Sequence, residues 1–256
     1  MAPKESRTRL DLLVVERGLA PSRERARALI LAGRVQVAGR RVDKAGALVG
    51  ADAELLVSED HPYVSRGGVK LAGALSGLGV DPAGLVCLDV GASTGGFTDC
   101  LLRQEATRVY AVDVGYGQLA WSLRTDPRVV VMERTNARHL ESLPEPIDLC
   151  VIDASFISLR LLLAPLARLL GPTGRVLAMV KPQFEVGRAR VGKGGVVRDD
   201  LLRAASADGV AQAAAAAGLA EVGRLDSVLP GPKGNREIFL LLARCSLSPD
   251  PASPCP

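Results

Sequence analysis

The amino-acid sequence predicts an α/β protein, a mostly parallel sheet covered by helices, preceded by a small α+β unit. From residue 67 onward, short runs rich in Val, Ile and Leu alternate with helical segments, as in buried parallel strands joined by helices. The two parts differ in charge. Residues 1–44 contain 11 Lys and Arg but only 5 Asp and Glu, whereas the remaining residues contain 21 Lys and Arg and 23 Asp and Glu. The length of 256 residues allows one medium domain plus a small one.

The first unit, residues 7–57, is predicted as two helices followed by short strands. The first helix covers 9–17, and the second runs from Ser22 as N-cap to Gly33. Strands are expected at 34–37, 40–42 and 54–57. The basic excess indicates a module that faces a polyanion, with these candidate contacts: Arg9, Arg23, Arg25, Arg27, Arg34 and Lys44.

The second unit, residues 67–245, follows a polar linker at 58–66 and precedes a Pro- and Ser-rich tail at 246–256 that is predicted to be disordered. Strands are expected at 85–90, 108–113, 128–132, 147–153, 175–180, 222–229 and 237–243. Helices are expected from Gly96, from Gln118, at 160–170 and at 201–217. This Rossmann-like alternation places a ligand at the carboxyl ends of the strands.

The composition argues against several classes of protein. Two His residues are too few for most metal sites and for a Ser-His-Asp triad, so no metal is expected. Five scattered Cys without a CxxC predict a reducing, cytoplasmic location. No apolar run approaches the roughly 20 residues of a membrane span, so no membrane partner is expected. A monomer is expected.

The string LDVGASTGGF at 88–97 lies at a strand-to-helix junction. Its glycines let the backbone approach a ligand, and the spacing is neither GxGxxG nor a P-loop. Asp113 ends the next strand, where an acid accepts hydrogen bonds from ribose hydroxyls. The combination is typical of S-adenosylmethionine sites, although a turn required only for packing stays open. The candidate cofactor-binding residues are Asp89, Gly91, Ala92, Ser93, Thr94, Gly95, Gly96, Phe97, Asp113, Val114, Asn136 and Asp153.

Two further strand ends carry candidate catalytic residues. The string DASF at 153–156 lacks the Asp/Asn-Pro-Pro-Tyr of amino methyltransferases, and no Pro-Cys nucleophile lies nearby, which favours an oxygen acceptor. A hydroxyl acceptor needs a base, and Lys181 is a candidate in a chain so poor in His. A helix-capping Asp153 and a solvated Lys181 remain open alternatives. The glycine-rich loop at 187–198 is basic and either folds over phosphates or is an ordinary flexible loop.

Taken together, these residues resemble the FtsJ-type ribose 2′-O-methyltransferases. Their Lys-Asp-Lys-Glu tetrad matches Lys70, Asp153, Lys181 and Glu237 in order and strand position. The strings YVSRGGVKL, DVGASTGGFTD, DASFISL, VKPQFEVG and GPKGNREIFL are closer still to the TlyA family of bacterial 16S/23S rRNA cytidine 2′-O-methyltransferases, often labelled hemolysin A. The likeness runs from about residue 7 to residue 244.

The resemblance implies a fold, an activity and a set of site residues. Residues 7–57 would be an S4-like RNA-binding domain, and 67–245 a seven-stranded class I methyltransferase domain. The donor would be S-adenosylmethionine, and the acceptor a cytidine ribose in 23S rRNA, with 16S rRNA left open. Lys181 would take the 2′ proton, and nearby Lys70 would favour its neutral form. Asp153 and Glu237 would orient the two lysines and balance their charge. RNA contacts would add these residues to the basic ones above: Arg66, Phe156, Arg188 and Lys193.

Three other classes compete with this interpretation. A membrane-lytic toxin needs an amphipathic or spanning segment, which the sequence lacks. A non-catalytic RNA-binding or ribosome-assembly factor would not need the donor turn or the tetrad, and a donor-binding titration separates it. A small-molecule oxygen methyltransferase would not need the basic first unit.

Overall fold

The computed structural model describes residues 7–31, 33–57 and 62–245. The chain divides into two units between Asp60 and His61, and each unit is described by itself. The predicted tail at 246–256 and residues 58–61 of the predicted linker lie outside the described residues, so these bounds stay predictions. Within the described ranges, no helix has both the length and the apolar character to cross a membrane.

The first unit packs two helices against short strands. Its elements are β1 (Arg7–Arg9), α1 (Leu10–Glu16), α2 (Arg23–Leu31), β2 (Val35–Val37), β3 (Arg40–Arg41), β4 (Leu48–Gly50) and β5 (Leu55–Val57). Strand β1 pairs with β4, and a second sheet has the order β3-β2-β5. Ser22 Oγ accepts a hydrogen bond from Arg25 N at 3.1 Å, which confirms the predicted N-cap. A small core around Leu10, Val14 and Ile30 holds the helices to the strands.

The second unit contains the large sheet. Its elements are α3 (Arg66–Gly77), β6 (Val86–Val90), α4 (Gly96–Arg103), β7 (Arg108–Val112), α5 (Trp121–Arg124), β8 (Val129–Met132), β9 (Ile147–Ile152), α6 (Leu163–Ala167), β10 (Leu170–Val180), α7 (Pro182–Glu185), α8 (Asp200–Ala216), β11 (Leu219–Asp226) and β12 (Ile238–Arg244). The strand order is β11-β12-β10-β9-β6-β7-β8. Strand β12 runs antiparallel to both of its neighbours, and the pairs from β10 to β8 are parallel.

Both faces of this sheet are covered by helices. On one face, Leu71 of α3 and Leu101 of α4 pack on the strands, and on the other, Leu166 of α6 and Val210 of α8 do so. Every residue in these contacts is buried. This arrangement explains why the strands read as continuous apolar runs, since a strand covered on two faces has no solvent side.

Several elements differ from the sequence prediction, among them one strand and two helices of the second unit. Strand β11 covers Leu219–Asp226 rather than 222–229, because Gly218 takes φ +77° directly after α8 and the chain turns at once into the strand. The helix expected at 160–170 is a 3₁₀ turn followed by the five residues of α6. The helix expected from Gln118 begins only at Trp121.

Candidate active site

Five strand ends meet at one edge of the large sheet. Val90 of β6 pairs with Val112 of β7 and with Ile152 of β9, and Val180 of β10 pairs with Ile238 of the antiparallel β12. The residues that follow or precede these positions therefore share one edge: Gly91, Asp113, Asp153, Lys181 and Glu237. This is the edge where the sequence places a ligand.

Lys181 is held by one ion pair and two hydrogen bonds. Its Nζ lies 2.5 Å from Asp153 Oδ1, and it donates to the backbone oxygen of Asp153 at 3.2 Å and to Ser155 Oγ at 2.7 Å. An ammonium has three protons, and the two hydrogen bonds use two of them. Lys181 is buried, whereas the Asp153 side chain is 26% exposed. The pair therefore opens toward solvent on the carboxylate side.

The second lysine forms a more deeply buried pair. Lys70, in the second turn of α3, donates to Glu237 Oε2. Glu237 Oε1 lies 2.8 Å from the place where a Cβ on Gly231 would stand, so a side chain there would displace the carboxylate from its observed position. Since Lys181 and Glu237 adjoin the register partners Val180 and Ile238, the two lysine–carboxylate pairs lie on neighbouring strand ends.

The glycine turn passes beside Asp153. Gly91 has φ +87°, and a Cβ there would meet the Asp153 backbone oxygen at 2.9 Å. Asp113 is fixed against the turn, since its carboxylate accepts from Ser93 N at 2.8 Å and from Gly115 N at 2.6 Å. A carboxylate has about four acceptor sites, so Asp113 keeps capacity for two ligand hydroxyls.

Asp89 and Phe97 are buried residues that flank or lie within the glycine turn. Asp89 is fully buried and accepts from Thr98 Oγ1 at 2.6 Å, and its other oxygen has no hydrogen-bond partner among the described residues. Burial raises the pKa of Asp89 to about 7. Phe97 stacks in the core against Phe239, with ring centroids 6.2 Å apart. Ala92 is buried, so the exposed part of the turn consists of Ser93 and Thr94.

The other predicted cofactor contacts also lie near the end of β7. Val114, directly after Asp113, is 71% exposed. Thr135 N donates to the Asp113 backbone oxygen at 2.9 Å, which brings Asn136 to the same edge. Asn136 is exposed, and its Oδ1 accepts from Arg138 N at 3.1 Å. Its amide nitrogen is therefore the group it offers to a ligand.

The RNA contacts predicted for the second unit surround this edge. Phe156 is 92% exposed at φ +65°, and its ring lies 5.4 Å from that of Phe184. Arg66 donates to the backbone oxygen of Pro230 at 2.9 Å, which joins α3 to the segment before β12. Arg188 and Lys193 are exposed on the loop at 187–198.

In the first unit, an acid that the sequence does not single out organises part of the basic surface. Asp11 is buried and accepts from Arg9 at 2.9 Å and from Arg23 at 3.0 Å. The Arg9 guanidinium beside it holds the pKa of the Asp11 carboxyl well below its usual range. Both arginine side chains remain about half exposed, at 44% and 53%. The other predicted contacts are exposed except for the half-buried Arg34: Arg25, Arg27 and Lys44.

Three further residues of the site escape prediction from the sequence. Ser155 binds Lys181, and Thr98 binds Asp89. Asn235 is buried and bonded through its carboxamide. All three lie inside strings that the sequence already singles out, so proximity to a motif was the available signal.

Two family descriptions match the chain. The FtsJ-like methyltransferase family matches residues 63–244, and the S4 domain matches residues 8–55. Together they cover most of the two structural units.

The proteins similar to this chain are named either as rRNA methyltransferases or as hemolysins. The chain is 51% identical over 240 residues to the 16S/23S rRNA (cytidine-2′-O)-methyltransferase TlyA of Mycobacterium tuberculosis, covering 92% of this chain and 90% of the relative. It is 40% identical to hemolysin A of Brachyspira hyodysenteriae, covering 90% and 97%. A solved structure from Streptococcus thermophilus, classed among the hemolysins, is 40% identical with a TM-score of 0.73, covering 94% and 90%.

Proposed function

The chain belongs to the FtsJ-like methyltransferase family and to the TlyA family within it, and we propose that it methylates the ribose 2′ hydroxyl of a cytidine in ribosomal RNA. Its methyl donor is S-adenosylmethionine. The observation that supports the acceptor is the presence of two lysine–carboxylate pairs, Lys181–Asp153 and Lys70–Glu237, beside the glycine turn. A hydroxyl is a weak nucleophile, and a lysine at the sheet edge is a group that can take its proton.

The residues at the sheet edge fit the donor. Ser93 and Thr94, the exposed residues of the turn, suit a polar ligand that approaches closely, and Asp113 keeps acceptor sites for ribose hydroxyls. Val114 and Asn136 supply apolar and amide contacts on the same side. When bound, S-adenosylmethionine supplies a methyl group on a sulfonium, an electrophile that needs only a positioned oxygen nucleophile.

The proton of the 2′ hydroxyl passes to Lys181 Nζ. In this step the O–H bond would break as the new O–C bond forms, and the amine would become an ammonium. The bond from the methyl carbon to sulfur would break, and its electron pair would stay on the sulfur of the departing S-adenosylhomocysteine. Asp153 and Ser155 then hold that ammonium in the geometry the structure shows. Lys70, paired with Glu237, keeps a second ammonium beside the developing oxygen charge. Catalysis rests on positioning and proton removal.

RNA binding is divided between the two units. The basic surface of the first unit supplies phosphate contacts, and Phe156 supplies an exposed ring on which a displaced base can stack. Arg66, Arg188 and Lys193 add positive charge around the catalytic edge. Replacing Arg27 and Lys44 by Gln lowers rRNA affinity and reduces the salt slope by about one unit per lost phosphate contact. An unchanged slope removes these two residues from the interface.

The decisive experiment compares ribose methylation in ribosomal RNA from cells with and without the protein. We expect a 2′-O-methylcytidine that disappears with the protein and returns with wild type but not with Lys181→Ala. Purified 30S and 50S subunits, incubated separately with labelled S-adenosylmethionine, identify the subunit. Donor binding without methyl transfer to any ribosomal particle supports the assembly-factor alternative instead. The monomeric state and the cytoplasmic location stay predictions.

A further inference from the structure

Asn235 is a buried amide in the loop between β11 and β12, two residues before Glu237. It is 2% exposed, and the proton-transfer chemistry does not use it. Burying an unpaired carboxamide is costly, so each of its polar groups needs a partner. Its partners therefore show what the residue holds together.

Both ends of the carboxamide bind the basic loop, which is defined here as residues 187–198. Oδ1 accepts from Val197 N at 2.9 Å, and Nδ2 donates to the backbone oxygen of Gly195 at 2.8 Å. The side chain thus replaces the two backbone groups that a neighbouring strand would offer. Val197 is itself buried, whereas Lys193 at the tip of the loop is exposed. One end of the loop is anchored, and its charged tip stays available.

The backbone of Asn235 organises the segment that holds the catalytic carboxylate. Its oxygen accepts from Gly231 N at 2.8 Å, and Gly231 is the residue whose missing Cβ leaves space for Glu237 Oε1. On the other side, Arg236 binds Asp200 at 3.0 Å and Asp226 at 3.3 Å. The segment is therefore anchored in two directions just before Glu237.

From these contacts we infer that Asn235 is a positioning residue that couples the basic loop to the Lys70–Glu237 pair. The inference rests on the proposed function, because the loop would be the part that meets RNA phosphates. A phosphate bound at Lys193 orders the loop, and the Asn235 carboxamide transmits that order to Glu237. RNA binding and the alignment of the second ion pair then become one event.

The first test is a kinetic comparison of Asn235→Ala with wild type on ribosomal subunits. We expect kcat to fall by about 100-fold, since displacement of a positioned group by about 1 Å has that effect. We expect the Kd for S-adenosylhomocysteine to stay the same, because the glycine turn is untouched. Ser206→Ala is the matched control, a buried polar residue of α8 that loses one hydrogen bond to a backbone oxygen. It should keep wild-type kcat.

A double-mutant cycle tests the coupling itself. Lys193→Gln reduces kcat/KM in wild type, and in the Asn235→Ala background it should have no further effect. Additive losses, or a kcat loss in Ser206→Ala equal to that in Asn235→Ala, overturn the inference. If Asn235→Ala does not fold, Asn235→Ser takes its place, because a hydroxyl is polar and uncharged but too short to bind both Val197 N and the Gly195 oxygen.

Hydrogen exchange separates this inference from the proposed function. The Val197 amide should be protected in wild type and exchange at least tenfold faster in Asn235→Ala, a result that needs no substrate. Faster exchange in a protein that methylates no ribosomal RNA means the tether exists and the proposed function fails. Unchanged exchange at Val197 overturns the tether whatever the activity.

Discussion

Lys70 and Glu237 lie 167 positions apart in the chain and form an ion pair whose side chains are 8% and 2% exposed. Removing both charges from water costs several kcal/mol per ion, and the attraction between them offsets that cost only in part. A pair of leucines would serve the core as well. The pair is therefore best explained by a charge requirement at the sheet edge and not by stability.

Breaking this pair should destabilise the protein, whereas replacing it whole should not. We expect Glu237→Gln to lower the free energy of unfolding by about 3–5 kcal/mol, because Lys70 stays buried without its partner. The double variant Lys70→Met with Glu237→Leu should regain most of that loss and remain inactive. Urea titration with a methyl-transfer assay measures both. Retained turnover in the double variant would contradict a chemical role for the pair.

Lys181 should be required for methyl transfer and dispensable for donor binding. We expect Lys181→Met to lower kcat by about 10²–10⁴-fold, the usual contribution of a positioned base. Lys181→Arg is the sharper variant, because a guanidinium keeps the charge beside Asp153 but cannot accept a proton. Both variants should bind S-adenosylhomocysteine like wild type in calorimetry. An active Lys181→Arg would show that the charge alone matters.

Asp113 should control donor affinity. Asp113→Asn keeps one acceptor and loses the charge that faces the ribose hydroxyls, so we expect Kd for S-adenosylhomocysteine to rise about 10- to 100-fold. Asp126→Asn is the matched control, an acid that binds Arg128 in the turn before β8, at the opposite edge of the sheet. Equal Kd values for the two variants would remove Asp113 from the donor site.

Asp89 should make stability depend on pH. Its pKa is raised to about 7 by burial, so between pH 4 and 7 the folded state binds a proton that the unfolded state has released. The free energy of unfolding should therefore fall as pH rises through that window and level off above it, by on the order of 4 kcal/mol. Asp89→Asn should abolish the fall and be more stable than wild type at pH 8. The free energy of unfolding of both proteins is measured by urea titration between pH 4 and 8. If it changes with pH in the same way in both, Asp89 is not the source of the pH dependence.

Phe156 should be important for RNA and not for the fold. Its ring is exposed, and its backbone lies at φ +65°, a conformation that costs a bulky residue about 1–2 kcal/mol. We expect Phe156→Gly to keep or raise the wild-type Tm, because glycine adopts this backbone conformation without that cost, and to lose about 1–3 kcal/mol of the interaction with the substrate base, seen as a lower kcat/KM. Leu161, also exposed, gives the control Leu161→Gly on the following turn. Equal kcat/KM for Phe156→Gly and wild type would exclude stacking.

The sequence predicted the large sheet better than the first unit. Buried parallel strands such as β6 and β9 are apolar on both faces, a signal that survives without any tertiary information. Strands β1 and β4 were missed, because three residues are too few to show a period of two. The bounds of β11 were wrong because an exposed edge strand carries no continuous apolar run.

The sequence alone determined the chemistry available to this protein: a glycine turn, an acid at the next strand end, and two lysines and two carboxylates that resemble a known tetrad. Only the tertiary structure decided how these groups pair. Strand β12 runs antiparallel between β10 and β11, and this places Glu237 beside Lys181 while its carboxylate binds Lys70 on α3. Such a pairing depends on strand order and register between distant segments, and no local pattern of residues records either of them.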